Sequence, residues 1–193
     1  MNLVERAKKI ILEPKKEWPV IAEEELTLQD IYTKYVMILA AIPAIASFIG
    51  WSIVGIGVFG ATYRVPLGAG LAHLILGYGL ALGSVYLLAM VIDGFAPKFG
   101  GQPHFLRALK VAAFASTPSW LAGVFYVVPA LGIFALLGLY SLYLLFIGLP
   151  MLMKVPDDKA LPYTVVVMVA VIVVIVVVRA VAALTIPGPV RGF

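Results

Sequence analysis

An all-α polytopic transmembrane bundle of five helices, preceded by an N-terminal amphipathic interfacial helix, is the fold class the sequence predicts, and three observations predict it. Hydrophobic residues make up 63% and charged residues 12% of the 193-residue chain, against about 45–50% and about 25% in a soluble domain. The excess apolar surface needs lipid as its solvent. Between Lys110 and Lys154 lie 43 residues without one charge, and a bilayer core takes roughly 20 apolar residues as a helix. That run therefore makes two spans, with the reversal at Val127-Val128-Pro129. Charge is also segregated, since all ten carboxylates fall in Met1 to Lys34, Asp93 to Lys110 and Lys154 to Pro162. Backbone amides in hydrocarbon must bond within their own helix, so the apolar stretches between these segments are helices.

One membrane domain is expected, over residues 35–185, between a 1–34 amphipathic segment and a short 186–193 tail. No basic stripe with interleaved aromatics exists, which argues against nucleic acid as a partner. The chain has no cysteine, so disulfides and thiolate metal sites are excluded.

Met1 to Glu13 alternates apolar and charged residues and is not a signal peptide. Leu3, Val4, Ala7, Ile10 and Ile11 share one helical face, with Glu5, Arg6, Lys8 and Lys9 elsewhere. Pro14 stops this helix, and Trp18 follows Lys15-Lys16-Glu17, a combination suited to a headgroup region. Packing on the protein's own loops is the other use of such a helix. Glu23-Glu24-Glu25 reads as a solvated acidic run, and Thr27 with Asp30 as a capping box opening the first long helix.

The first span is expected over 35–58, bent at Pro43, whose missing amide frees a carbonyl. Gly55 to Gly60 matches G-x-G-x-x-G, but it ends a lipid-length run, and no carboxylate follows until Asp93. A dinucleotide site needs a βαβ unit and an acidic residue about 20 positions on, so the segment reads as a glycine-rich exit. The second span, 67–92, carries Gly70, Gly77 and Ser84 at intervals of seven, and Gly79 with Gly83 as G-x-x-x-G. Small residues let backbones approach closely, which fits a central helix or, equally, a homo-oligomer contact. His73 is a candidate intramembrane polar residue.

The third span, 111–128, contains Ser116-Thr117-Pro118-Ser119, where hydroxyls can bond the carbonyls that Pro118 leaves free. The fourth, 131–153, ends in Gly148-Leu149-Pro150, and its Gly132, Gly138, Tyr140, Ser141 and Tyr143 suit interhelix contacts. The fifth, 163–185, is nearly all Val or Ile from Val165 to Val178. A strand there would leave amides unpaired, so it is a lipid-immersed helix at the bundle's edge. Arg179 is expected to snorkel to the outer headgroups.

Orientation follows from the cations. Eleven Lys and Arg lie in the N-terminal segment and in the second and fourth loops, against Arg64 and Arg191 opposite and Arg179 in the last span. The positive-inside rule then puts the N-terminus in the cytoplasm and the C-terminus outside. Asp93, Lys98 and His104 share the second loop and join Arg6, Lys8, Lys9 and Trp18 as candidate partner or lipid contacts.

Several stretches resemble the Yip family, the Ypt/Rab-interacting membrane proteins, and its small bacterial members in particular. They are Trp18, Ala40-Ala41-Ile42-Pro43, Phe99-Gly100-Gly101, Ala115 to Pro118 and Leu139 to Pro150. The resemblance implies five spans, a cytoplasmic N-terminus and no catalysis. Eukaryotic members are linked to GTPase binding through longer N-termini, whereas this chain has 34 residues before its first span and no Asp-Leu-Tyr-Gly-Pro motif.

The remaining chemistry is mostly exclusion. No Gly-x-Gly-Asp and no Ser with a partnered base supports intramembrane proteolysis, and no span holds the acidic residue that ion-coupled transport commonly uses. No spacing argues for a metal, and no cofactor is expected. The reading is a non-enzymatic inner-membrane protein that organises membrane or docks a protein partner on its cytoplasmic face, with a small channel or permease as the alternative.

Overall fold

The computed structural model describes residues 2–58 and 61–184, and the protein is all-α and 87% helical in it. Phe59-Gly60 of the glycine-rich exit, Arg191 and the 186–193 tail lie outside the described residues.

Helix α1, Leu3–Leu12, opens where the Asn2 side chain accepts the Glu5 amide, satisfying one free donor of the first turn. It ends before Pro14, which begins α2, Pro14–Glu23, at the position where a missing N–H costs nothing. Trp18 therefore stands on a helix. The Thr27 and Asp30 side chains cap each other's backbone amides and open α3, Leu28–Val54. The helix that holds the first span thus begins before the expected 35–58 stretch and ends four residues short of it. Gly55, at φ 89°, turns the chain out of the helix, a conformation only glycine adopts freely. Strands β1, Ile56–Val58, and β2, Ala61–Tyr63, then form a small antiparallel hairpin.

Helix α4, Leu67–Phe95, continues as a tight turn through Phe99. Among the described residues four helices are long and apolar enough to cross a membrane: Leu28–Val54, Leu67–Phe99, Pro129–Met153 and Asp157–Ala183. The third expected span is the one outside these four, and its form differs from a single helix. Residues 111–128 are not one helix but the end of α5, Phe105–Ala115, then α6, Thr117–Ala122, and a tight 3₁₀ segment Gly123–Val127. Pro118 causes the break. It cannot bond the Phe114 carbonyl, and the Thr117 hydroxyl donates to that oxygen instead at 2.7 Å. Ser116 likewise donates to the Ala112 carbonyl at 2.8 Å.

The chain reverses at the extended Val128, and Pro129 opens an eleven-residue 3₁₀ stretch, Pro129–Leu139, that leads into α7, Tyr140–Met153. The last helix, α8, Asp157–Ala183, begins six residues before its expected start, with Asp157 and Asp158 in its first turn. Carboxylates there complement the positive end of the helix dipole. Its buried residues are Tyr163, Thr164, Val167 and Ala182, so the Val-rich face is left to lipid.

The large buried side chains gather in the half of the bundle that carries α1 and α2. Trp18, Tyr35, Phe114, Leu144, Leu149, Leu152 and Tyr163 are all closed to solvent there. The opposite half is joined by glycines. A Cβ on Gly50 would collide with the Tyr126 carbonyl, and one on Gly123 would lie 2.5 Å from the Pro43 Cβ. Gly138 would meet the Ser119 Cα at 3.1 Å, and Gly70 would strike the Ser52 hydroxyl. Of the glycines of α4 expected in this role, Gly70, Gly77, Gly79 and Gly83, only Gly70 meets a neighbour; nothing lies within 4 Å of a Cβ at the other three.

Candidate functional site

The face that bears the N-terminus is built around a buried ion cluster. Arg6, on the inner side of α1, pairs through one terminal nitrogen with Glu17 of α2 and through the other with Glu24 just beyond it. Its guanidinium also lies 5.8 Å from the Phe114 ring centre, which in turn packs on Tyr35 at 4.7 Å. Lys110 of α5 donates to the Ile21 carbonyl at 2.8 Å and to the Glu24 carbonyl. A cation at the carbonyl end of α2 is the favourable partner of its dipole. Burial pulls the Lys110 ammonium below its ordinary pKa, against the Glu24 charge.

Two placements differ from the surface roles expected. Arg6 is buried in its pairs, and Trp18 is closed to solvent, with its ring 2.5 Å from a Cβ built on Gly148. An indole can approach α7 so closely only where the helix carries no side chain. Glu24, read from sequence as part of a solvated run, serves this cluster. Lys110, Glu17, Glu24 and Gly148 were missed because residues far apart in the chain leave no periodic signal of their meeting.

Around α1 three environments follow one another. Arg6, Ala7 and Ile10 are buried against the bundle, Val4 and Leu12 are 72% and 65% exposed, and Glu5 and Lys9 form a 2.7 Å ion pair on the remaining side. Their mutual hydrogen bond lowers the Glu5 pKa and raises that of Lys9.

The expected loop from Asp93 to Lys110 is mostly helical. Asp93 lies inside α4 with one carboxylate oxygen buried and unbonded, Lys98 sits 5.0 Å from the Phe95 ring centre, and His104 precedes α5 as its exposed first cap residue. No ion pair joins the three, and no cluster of His, Cys, Asp or Glu suits a metal among the described residues. Phe99-Gly100-Gly101 has a physical role here. Phe99 packs on Tyr163 at 5.3 Å, Gly100 takes φ 74°, and a Cβ on Gly101 would lie 2.9 Å from the Met153 carbonyl. That carbonyl accepts the Gln102 amide at 2.8 Å, fastening the two loops of this face together.

Within the bundle, Thr117 has committed its only hydrogen to Phe114, so Tyr35 donates to the Thr117 hydroxyl, at 2.7 Å. His73 stacks on Trp51 at 5.2 Å, and its Nδ1 donates to the Ala182 carbonyl at 3.1 Å. Arg179 donates to the Tyr126 hydroxyl at 3.1 Å and lies over that ring. These contacts tie helices together; none pairs a nucleophile with a base.

A family model described as the Yip1 domain matches residues 8–178. Inner membrane protein YohC of Escherichia coli K12 is 30% identical over 156 residues, 78% of this chain and 80% of YohC, and the protein of the same name from Escherichia coli O6:H1 matches with the same figures. No solved structure matches the chain.

Proposed function

Because this chain belongs to the Yip1-domain family of membrane proteins, we propose that it is a non-enzymatic inner-membrane protein whose N-terminal face docks a protein partner at the cytoplasmic membrane surface. One observation carries the reading: Arg6 and Lys110 fix α1 and α2 on the bundle, which presents Lys8 and Lys9 at a fixed place beside exposed Val4 and Leu12. A rigid amphipathic rim of this kind recognises lipid and protein together. The broken α5–α6 segment, continued to Val127, is the third of five crossings in this reading, so the N-terminus is cytoplasmic and the C-terminus outside.

Reporter fusions after Ile92, Met153 and Phe193 are expected to report cytoplasm, cytoplasm and outside; a cytoplasmic C-terminus would remove one crossing. Crosslinking in intact membranes tests docking. Removing Met1 to Glu13 also removes Arg6, so Lys8→Glu with Lys9→Glu, which keeps the buried pairs, is the companion variant. Both are expected to insert and to lose partner adducts. Unchanged adducts and phenotype in both, or substrate-selective solute flux by the purified protein in liposomes, would overturn the docking role.

A further inference from the structure

We infer that the groove between α1 and the membrane helices is a binding site for one acyl chain of an anionic phospholipid, whose phosphate is held by Lys8. The inference rests on the interfacial placement of α1 in the preceding reading and adds a ligand to it. Val4, Ile11 and Leu12 of α1 form one wall, and Leu39 and Ile42 of α3 with Leu121 of α6 form the other. The space is about 480 Å³, inside the range of about 300–1,000 Å³ typical of small-ligand clefts. Lys8 is the one polar residue in the lining.

What fills the groove follows from where it opens. Ile38 and Ile45 stand one turn to either side of Ile42 on the same helix face, and they are 51% and 50% exposed. The α3 wall is thus continuous with a lipid-facing stripe. Water in an apolar cleft at that position would lose hydrogen bonds without replacement, whereas a lipid chain entering sideways loses none. Headgroup choice follows from charge. Arg6, Lys9, Lys16 and Lys34 each pair with a carboxylate, while Lys8 has no such partner among the described residues. It lies between Val4 and Leu12 at helical spacing, so its stem runs along the groove while its ammonium reaches the rim. The charge offered to a ligand is uncompensated and positive, and a phosphodiester without a choline answers it.

The full chain, purified and reconstituted in phosphatidylcholine vesicles, is photolysed with phosphatidylglycerol or phosphatidylcholine carrying a diazirine on one acyl chain, and adducts are mapped by peptide mass spectrometry. Adducts are expected in α1 and at Leu39 to Ile42, with phosphatidylglycerol favoured about five-fold, the discrimination one cation near a membrane surface supplies. Lys8→Gln is expected to remove the preference and Lys15→Gln to keep it. Leu121→Trp, which fills the groove, is expected to lose these adducts while retaining those on the exposed face of α8. Equal labelling by the two lipids, equal effects of the two lysine variants, or groove adducts that survive Leu121→Trp would overturn the site. No partner protein is present, so failure of the docking role leaves this outcome untouched, and the converse also holds.

Discussion

The two halves of the bundle are held together by different means. On the N-terminal side, side chains fill the space: Trp18, Tyr35, Phe114 and Tyr163 are closed to solvent, and a charged cluster sits among them. On the opposite side backbones meet directly, at Gly50 with Tyr126, Gly123 with Pro43 and Gly138 with Ser119, while Pro129–Leu139 buries no residue at all. The difference follows from solvent. Segments that leave water to dock on the bundle gain from burying apolar area. Helices already in lipid gain nothing that way, and close backbone approach is the attraction left to them.

The largest expected effects lie on the side-chain-filled half. Trp18→Ala empties a fully buried site, and losses of about 3–5 kcal/mol accompany such deletions. Arg6→Ala leaves Glu17 buried without its cation, and breaking a buried pair costs about 3–5 kcal/mol. Thermal unfolding in detergent measures both, and faster tryptic cleavage at Lys15 and Lys16 reports the release of α2. If either variant unfolds like the parent, α1 and α2 are not docked as described. On the opposite half, Gly50→Ala and Gly123→Ala force backbone apart against a carbonyl and a rigid proline ring; overpacking of this order costs about 1–3 kcal/mol. Unfolding midpoints lowered in these two but not in Gly132→Ala, where a Cβ meets nothing within 4 Å, would confirm that contact and not glycine content matters.

Membrane class, the reversal at Val128 and the role of Pro118 were legible because each is a local signal: a run of apolar residues, a turn residue, hydroxyls beside a proline. The Thr117 hydroxyl bonds the Phe114 carbonyl that Pro118 leaves free, as expected, while the Ser116 hydroxyl bonds that of Ala112. What escaped was pairing across the chain. Arg6 reads as a surface cation because its own helix offers charged neighbours, and only the fold brings Glu17 and Glu24 to its two terminal nitrogens. The same holds for glycine. Spacing marks a row of small residues, as at Gly77, Gly79 and Gly83, but not whether another helix passes over it, while Gly50 and Gly123 have no spacing to mark them.

Arg179 sharpens the comparison at smaller scale. It joins α8 to Tyr126 through one hydrogen bond and the ring face, and an exposed cation over an aromatic contributes about 0.5–1 kcal/mol. Arg179→Lys keeps the charge and the ring contact but gives up the guanidinium geometry, so its midpoint is expected to fall by no more than that. Tyr126→Phe, which removes the hydroxyl alone, is expected to match it. A collapse in either variant would mean that the glycine-joined half depends on polar contacts more than on backbone approach.

The smallest effect is expected where the sequence signal for packing was strongest. Gly79 and Gly83 form G-x-x-x-G on α4, yet neither has a neighbour within 4 Å of a built Cβ, so methyl groups there enter open space. Gly79→Ala with Gly83→Ala is expected to leave the unfolding midpoint of the monomer within about 0.5 kcal/mol of the parent, as substitutions away from any contact do, or slightly above it, because alanine favours helix over glycine. Oligomeric state decides what the motif is for. If the row is only a lipid-facing surface, crosslinked dimers in membranes are equally abundant in parent and variant, and if two copies meet there, the added methyls separate the helices and the dimer fraction falls while the monomer's stability holds. A drop in monomer stability itself would place another helix over Gly79 and Gly83 and undo the division between the two halves.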